Sequence, residues 1–171
     1  MNRFRKILEG GDLRSVGRSN EIVKQIVNQR SFDELFQHLS DRDRKVVMRT
    51  ADIIEKVTLR YPDFLQKHKT NLLTLYRTAV DKELKWHLAL LVSRIKLTDK
   101  ELGSTWNLLT NWATDKSESK IVRVNSIQGL FNLLQQNSEL SQDFGLTISE
   151  IENERIPSIN ARIRKLRSAS S

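Results

Sequence analysis

Apolar residues recur through most of the chain at intervals of three and four positions, the spacing that puts them on one face of an α-helix. Pro62 and Pro157 end the preceding helices near Arg60 and Arg155, because proline disfavours helical backbone in the residue before it. The pattern predicts ten helices with short connections, over residues 19–29, 31–39, 41–60, 62–67, 70–79, 82–96, 99–113, 119–136, 140–155 and 158–168. Short connections between helices favour antiparallel neighbours.

Three of the predicted helix starts carry capping boxes, in which Ser or Thr is followed three residues later by Glu. The pairs with this spacing are Ser31 with Glu34, Thr98 with Glu101, and Thr147 with Glu150. Each pair is expected to satisfy free backbone N–H groups in the first turn of a helix.

The chain repeats itself at a shift of 37 residues. Four columns of apolar residues coincide at this shift: Leu35, Leu72 and Leu109; Leu39, Tyr76 and Ala113; Val47, Leu84 and Ile121; and Ile53, Leu90 and Ile127. The first two columns lie on one predicted helix and the last two on the next, so each unit is a pair of helices joined by a tight turn. Since one pair cannot bury its apolar face alone, the pairs are predicted to stack as an α-solenoid. The alternative is a four- to six-helix bundle whose helices have similar lengths.

An aspartate followed by an apolar–arginine pair recurs in the first and third units. Asp41 precedes Met48-Arg49, and Asp115 precedes Val122-Arg123. Over residues 20–137 the chain resembles HEAT-type repeats of the armadillo-like superfamily, which carry these residues at the turn and early in the second helix. The resemblance implies an all-α fold, a right-handed α-α superhelix of antiparallel helix pairs with about 37 residues per repeat.

The resemblance also implies that these Asp and Arg side chains bond between neighbouring repeats as a ladder. The middle unit departs from the pattern, because Trp86 occupies the register of the arginine. The segments 11–17 and 85–89 are similar to those of small bacterial single-domain HEAT proteins. That similarity implies no assigned activity.

The expected organisation has three parts. Residues 1–18 form a basic N-terminal arm with a short helix from Phe4 to Leu8, residues 19–168 form one HEAT-like domain, and residues 169–171 form a Ser-rich end.

The second helices of such pairs normally line the concave side of the solenoid, and their polar positions carry most of the candidate binding residues. At the shift of 37, one column contains two arginines and a tryptophan, and lysines lie beside it. The predicted concave binding face consists of Lys45, Arg49, Lys82, Lys85, Trp86, Lys120 and Arg123. Three other interpretations stay open: the arginines belong to the ladder, the tryptophan packs on the next repeat, and the lysines only face solvent.

Charge and composition narrow the class of protein. The net charge is +8 and the isoelectric point is near 9.9, which permits an acidic partner. The excess of basic residues lies in residues 1–30 and 62–100. The chain has no cysteine, which excludes disulfides, thiol nucleophiles and thiolate metal sites. No apolar run is long enough to span a membrane and no secretory signal is evident, so a cytoplasmic location is expected.

No catalytic constellation is evident in the sequence. His38, His68 and His87 are far apart, and no zinc-binding, phosphate-binding or nucleophile-elbow motif is present. We therefore expect no enzyme activity, cofactor, metal site, small-molecule substrate or membrane contact.

Two kinds of partner remain. The favoured hypothesis is a scaffold that binds a protein through its concave face. The alternative is a nucleic-acid-binding protein, remotely similar to the HEAT-like glycosylases that remove alkylated bases from DNA. Trp86, Trp106, Trp112 and Asp115 are the only loose candidates for the catalytic residues of those enzymes.

Overall fold

The computed structural model describes residues 3–10 and 16–171. Ten α-helices and no strand occur in these residues: α1 (Arg5–Glu9), α2 (Val16–Gln25), α3 (Gln29–Phe36), α4 (Arg44–Thr58), α5 (Lys69–Thr78), α6 (Lys82–Leu91), α7 (Asp99–Thr114), α8 (Lys120–Leu133), α9 (Ser141–Glu152) and α10 (Pro157–Ala169). Short 3-10 turns cover Gln37–Ser40, Pro62–His68, Val92–Arg94 and Ser138–Leu140. The predicted all-α fold is confirmed.

The chain forms two compact units, residues 1–68 and residues 69–171. In the first unit, α1 and α2 both contact α4, and Phe4 and Leu8 are fully buried. The short helix predicted within the N-terminal arm is therefore present and packed. Much of the rest of that arm, and most of the segment 11–17, lies outside the described residues. The division at residues 18 and 168 stays a prediction.

The second unit contains three helix pairs, α5 with α6, α7 with α8, and α9 with α10. Helix α8 lies at its centre and contacts α6, α7 and α10. Its buried face includes Val122, Ile127 and Leu130, each with no exposed surface. Burial of aliphatic side chains of this size is the main source of stability in such a stack.

The first helices α3, α5 and α7 follow the predicted register of 37 residues. Leu35, Leu72 and Leu109 have no exposed surface, as predicted. The column of Leu39, Tyr76 and Ala113 is also buried.

The second helices α4, α6 and α8 follow a register of 38 residues, so their predicted columns are wrong by one position. The residues before their first turns, Asp43, Asp81 and Ser119, are spaced by 38. The columns that the structure buries are Thr50, Leu88 and Ser126; Ala51, Ala89 and Ile127; Ile53, Leu91 and Gly129; and Val57, Ile95 and Leu133. By contrast, Val47 and Leu84 are only half-buried, and Ile121 is 44% exposed. The error is not evident from the sequence, because the second helices contain adjacent apolar residues. A column aligned at a shift of 37 and one aligned at a shift of 38 are then both hydrophobic.

The three capping-box predictions have different outcomes. The box at Ser31 is wrong, because α3 begins at Gln29 with Asn28 as its N-cap, and Ser31 is the third residue of that helix. Thr98 accepts a hydrogen bond from the backbone N–H of Glu101, whose carboxylate accepts one from the backbone N–H of Thr98, so this box is confirmed. The box at Thr147 is wrong, because α9 begins six residues earlier, at Ser141, and Thr147 is buried inside it.

Helices α6 and α8 approach each other closely where Ala89 faces Gly129. A Cβ atom added to Gly129 would lie under 3.0 Å from the backbone carbonyl oxygen of Ala89 and 3.2 Å from Cδ1 of Leu109. The absence of a side chain at position 129 is therefore what allows this spacing of α6 and α8.

Candidate binding site

The predicted binding residues lie on three second helices. Helix α4 carries Lys45 and Arg49, α6 carries Lys82, Lys85 and Trp86, and α8 carries Lys120 and Arg123. Their environments differ widely, from fully exposed lysines to a buried arginine. The predicted set therefore contains residues with separate roles.

Arg123 is the clearest departure from the predicted binding face. Its side chain is only 2% exposed. Its Nε donates to the carbonyl of Ala113 at 2.8 Å, and its two terminal nitrogens donate to the carboxylate of Glu154 at 3.0 and 2.9 Å. These hydrogen bonds hold the pKa of Glu154 below its usual range. The prediction that Arg123 belongs to an exposed binding face is wrong. Its buried side chain instead joins α8 to Glu154, which lies just after the end of α9.

The carboxylate that binds Arg123 is Glu154 rather than the aspartate expected for a ladder. Asp115 instead accepts hydrogen bonds from the backbone N–H and the hydroxyl of Ser117, at 2.8 and 2.6 Å. These bonds, with smaller contributions from Lys85 and Arg123, lower the pKa of Asp115. Arg123 therefore does link neighbouring helix pairs, but its acidic partner is Glu154 and not Asp115.

Lys85 is also engaged in packing between helix pairs. Its Nζ lies 2.6 Å from a carboxylate oxygen of Glu118 and 5.4 Å from the centre of the Trp112 ring. The Trp112 ring in turn packs edge-on against Tyr76, whose hydroxyl donates to the carbonyl of Thr105. Lys85 therefore stabilises the second unit and contributes little exposed charge.

Arg49 and Trp86, which share a column at the shift of 37, are not equivalent. Arg49 donates from Nη1 to the carbonyls of Leu8 and Gly10, which attaches the N-terminal segment to α4. Trp86 is half-buried, and its backbone carbonyl accepts a hydrogen bond from the side-chain amide of Asn125 at 3.0 Å. In the register of 38 residues, Arg49 corresponds to His87, which is buried.

Lys45, Lys82 and Lys120 are exposed and form no ion pair with any residue in the described ranges 3–10 and 16–171. Lys82 and Lys120 begin α6 and α8, so they occupy equivalent positions in two neighbouring second helices of the second unit. Of the seven predicted residues, these three are the ones with fully exposed charge.

An open groove runs between α8 and α10, with a volume of about 520 Å³. It contains three cations and no carboxylate, and its lining residues are Lys120, Ile121, Val124, Asn125, Ser158, Ala161, Arg162 and Lys165. Five of these eight residues are exposed, which makes the site a surface groove rather than a closed pocket. The aliphatic side chains of Ile121 and Val124 contribute apolar lining, which we call the floor of the groove.

The sequence-based prediction included Lys120 but missed Arg162 and Lys165. They lie on α10, which the sequence pattern presented as a short flanking helix. The signal was available, since α8 and α10 begin 37 residues apart, at Lys120 and Pro157. In this register Arg162 corresponds to Asn125.

A row of amide side chains on α8 was missed as well. Asn125 donates to the carbonyl of Trp86, and Gln128 accepts from Nη1 of Arg162 at 2.9 Å. Asn132 donates to the hydroxyl of Ser93, and Gln136, just beyond the helix, donates to the carbonyl of Ile95. These residues, which we call the amide row, join α8 to its neighbours on both sides.

Three of the four residues considered for base removal are engaged in packing or local hydrogen bonds, namely Trp106, Trp112 and Asp115. Trp106 is 4% exposed and donates from its ring nitrogen to Asp143 at 2.6 Å. Trp112 packs on Tyr76, and Asp115 binds Ser117.

A compact polar cluster surrounds Asp33 in the first unit. Its carboxylate accepts hydrogen bonds from Gln29 and Lys67 and lies 2.6 Å from Nε2 of His68, whose ring stacks on Phe36. Partial burial raises the pKa of Asp33, but the hydrogen bonds outweigh it and lower that pKa to about 2. The cluster links α3 to the turn that precedes α5.

Neither a metal site nor a membrane span is found in the parts of the chain that the structure describes. No three His, Cys, Asp or Glu side chains are grouped so that they could hold an ion. None of the helices has the length and apolar character needed to cross a bilayer.

Comparison with known proteins agrees with the helix pairs seen here. The model of the HEAT repeat domain family matches residues 13–169, which is most of the chain. No match was found among curated proteins or among solved structures. The repeated helix pairs and the extent of the family match together show that the chain belongs to the HEAT-repeat family.

Proposed function

We propose that this HEAT-repeat protein is a non-enzymatic scaffold that binds a partner protein through the exposed face of its second helices. HEAT repeats commonly serve protein interaction. The observation that carries the proposal is the pair of exposed lysines at the starts of α6 and α8, which form no ion pair within the described residues, together with the groove between α8 and α10 that Lys120 lines. A surface that combines charge with exposed aliphatic side chains suits a protein partner.

The distribution of charge supports a protein partner over nucleic acid. A protein that follows a nucleic-acid backbone needs many cations free to neutralise phosphates. Here Lys69, Lys85, Arg123 and Arg167 are each paired with a carboxylate within the second unit. The net charge of +8 therefore overstates the positive charge that a ligand can reach.

The test is affinity capture from nuclease-treated extract of the source cells, with the full chain as bait. The test variant is Lys82→Glu with Lys120→Glu on the second helices. The control is Arg77→Glu with Lys100→Glu, which makes the same change in charge on the first helices α5 and α7, where both residues are exposed.

We expect a partner protein that binds the wild type and the control but not the test variant. Loss of all capture after nuclease treatment, with retention of labelled DNA or RNA at low salt, contradicts the proposal and supports the nucleic-acid alternative. Equal capture by all three baits contradicts the choice of surface.

A further inference from the structure

We infer that the groove between α8 and α10 binds an acidic, amphipathic helix of a partner protein. This inference rests on the proposed scaffold function and names the chemistry of the partner. Three properties of the groove support it: its charge, its apolar lining and its capacity for hydrogen bonding.

The charge of the groove is unbalanced in one direction. Lys120 and Lys165 form no ion pair within the described part of the chain, and both are exposed. Arg162 uses Nη1 to bind Gln128 at 2.9 Å, a contact that orients its guanidinium and leaves other N–H groups free. An oriented guanidinium that lines the same groove as two lysines is suited to carboxylates, which arginine binds through two parallel hydrogen bonds.

The floor of the groove requires an apolar side chain in the partner. Ile121 is 44% exposed although it lines the same groove as three cations, and Val124, also in the lining, is half-buried. Aliphatic side chains from a partner would remove this surface from water, and carboxylates on either side would meet the cations. The partner segment therefore needs both acidic side chains and aliphatic side chains on the surface that enters the groove.

The groove favours a helix over an extended segment. Both walls are α-helices, whose backbone groups are already bonded within each helix, so the groove has no strand edge to pair with. The uncharged polar lining is limited to Asn125 and Ser158, and Asn125 already donates to Trp86. A partner segment must therefore satisfy its own backbone hydrogen bonds, as a helix does.

Nucleic acid and small anions fit the groove less well. Three cations can neutralise only a few phosphates, and the floor is aliphatic, so it provides no aromatic surface on which bases stack. The exposure of five of the eight lining residues also leaves a small ligand largely in water.

The test is selection of binders to the full chain from a displayed library of random peptides long enough for several helical turns. We expect the enriched sequences to carry Asp or Glu together with Leu, Ile or Met at intervals of three and four residues. Synthetic peptides with these sequences, and scrambled versions of the same composition, are then measured by fluorescence anisotropy. The scrambled peptides should bind more weakly because the charged and apolar residues no longer occupy separate faces.

Two pairs of variants locate the binding site. Lys165→Glu should weaken binding roughly three- to tenfold, whereas Arg164→Glu, the same charge change outside the groove on the same helix, should have little effect. Ile121→Ser should weaken binding by a similar factor, whereas Leu146→Ser, at a 67% exposed residue of α9, should not. Thermal melts of all four variants check that each chain is folded.

Three results overturn the inference: enrichment of neutral or basic peptides, no enrichment at all, or binding that survives both groove substitutions. None of these results contradicts the proposed scaffold function if capture of the partner protein is still lost in the variant with Lys82→Glu and Lys120→Glu. If the wild type captures no partner protein, the scaffold function itself fails. A short labelled DNA duplex and a single strand are measured in parallel, and tighter binding of either one at the groove also overturns the inference.

Discussion

The close approach of α6 and α8 at Gly129 predicts opposite effects for two glycine-to-alanine substitutions. Gly103 lies on α7, is exposed, and has no atom within 4 Å of an added Cβ. Gly129 is buried, and an added Cβ would meet the carbonyl oxygen of Ala89 at under 3.0 Å. The same methyl group therefore enters open solvent at one position and a helix backbone at the other.

The free-energy change at each position follows from these surroundings. Alanine is favoured over glycine inside a helix by about 1 kcal/mol, so Gly103→Ala should stabilise the fold by roughly 0.5–1 kcal/mol. At position 129 the same gain is opposed by overpacking, which costs about 1–3 kcal/mol and more where the obstacle is a backbone atom. Separation of the two helices to relieve the clash would also weaken the contacts around Leu91 and Leu130. We expect Gly129→Ala to destabilise the fold by about 2 kcal/mol.

Thermal and urea unfolding, followed by circular dichroism, measure both effects. For a chain of this size, a loss of about 2 kcal/mol lowers the melting temperature by roughly 4–8 °C. Gly103→Ala should raise it slightly and serves as the control for helix propensity. A Gly129→Ala protein that melts at or above the wild-type temperature would refute the role assigned to this glycine.

Three further substitutions test other parts of the fold. Leu109→Asp places a charge at a fully buried site and should abolish the cooperative melt, while Leu146→Asp, at an exposed site, should not; a cooperative Leu109→Asp protein contradicts the register of the first helices. Arg123→Ala removes the buried partner of Glu154 and should cost about 3 kcal/mol in urea unfolding; a loss below about 1 kcal/mol would show that the pair is dispensable. Asp33 has a lower pKa in the folded chain than in the unfolded chain, so its contribution to stability is present above about pH 4 and is lost as the pH falls toward 2. Asp33→Asn should therefore reduce the loss of stability over that range. If the free energy of unfolding of the variant falls between about pH 4 and pH 2 as steeply as that of the wild type, the role assigned to Asp33 is contradicted.

The sequence predicted the helix pairs because their apolar residues recur at a fixed interval. Leu35, Leu72 and Leu109 are separated by equal distances along the chain and are all buried. The positions of the second helices were harder to predict, since apolar neighbours such as Ile53 and Ile54 make a shift of one residue look equally hydrophobic. One residue corresponds to a rotation of about 100° on a helix, enough to exchange a buried position for a half-exposed one.

The same effect explains the missed half of the groove. The first helix of the fourth pair breaks the shift of 37, because Ala113 and its buried counterpart Ile151 are separated by 38 residues. The fourth pair was therefore not recognised as a repeat, and α10 was not aligned with α8 although the two begin 37 residues apart. The burial of Arg123 could not be predicted either, because it depends on Glu154, a distant residue outside the repeat motif.

The amide row on α8 determines how the scaffold responds to its solution conditions. Side-chain amides carry no charge and do not titrate, so most of the hydrogen bonds from Asn125, Gln128, Asn132 and Gln136 are insensitive to pH and weakly affected by ionic strength. Contacts made by Lys120 and Lys165 with an acidic partner would weaken as salt rises. For the proposed partner, a rise in ionic strength would therefore weaken binding at this face while α6 and α8 keep their spacing.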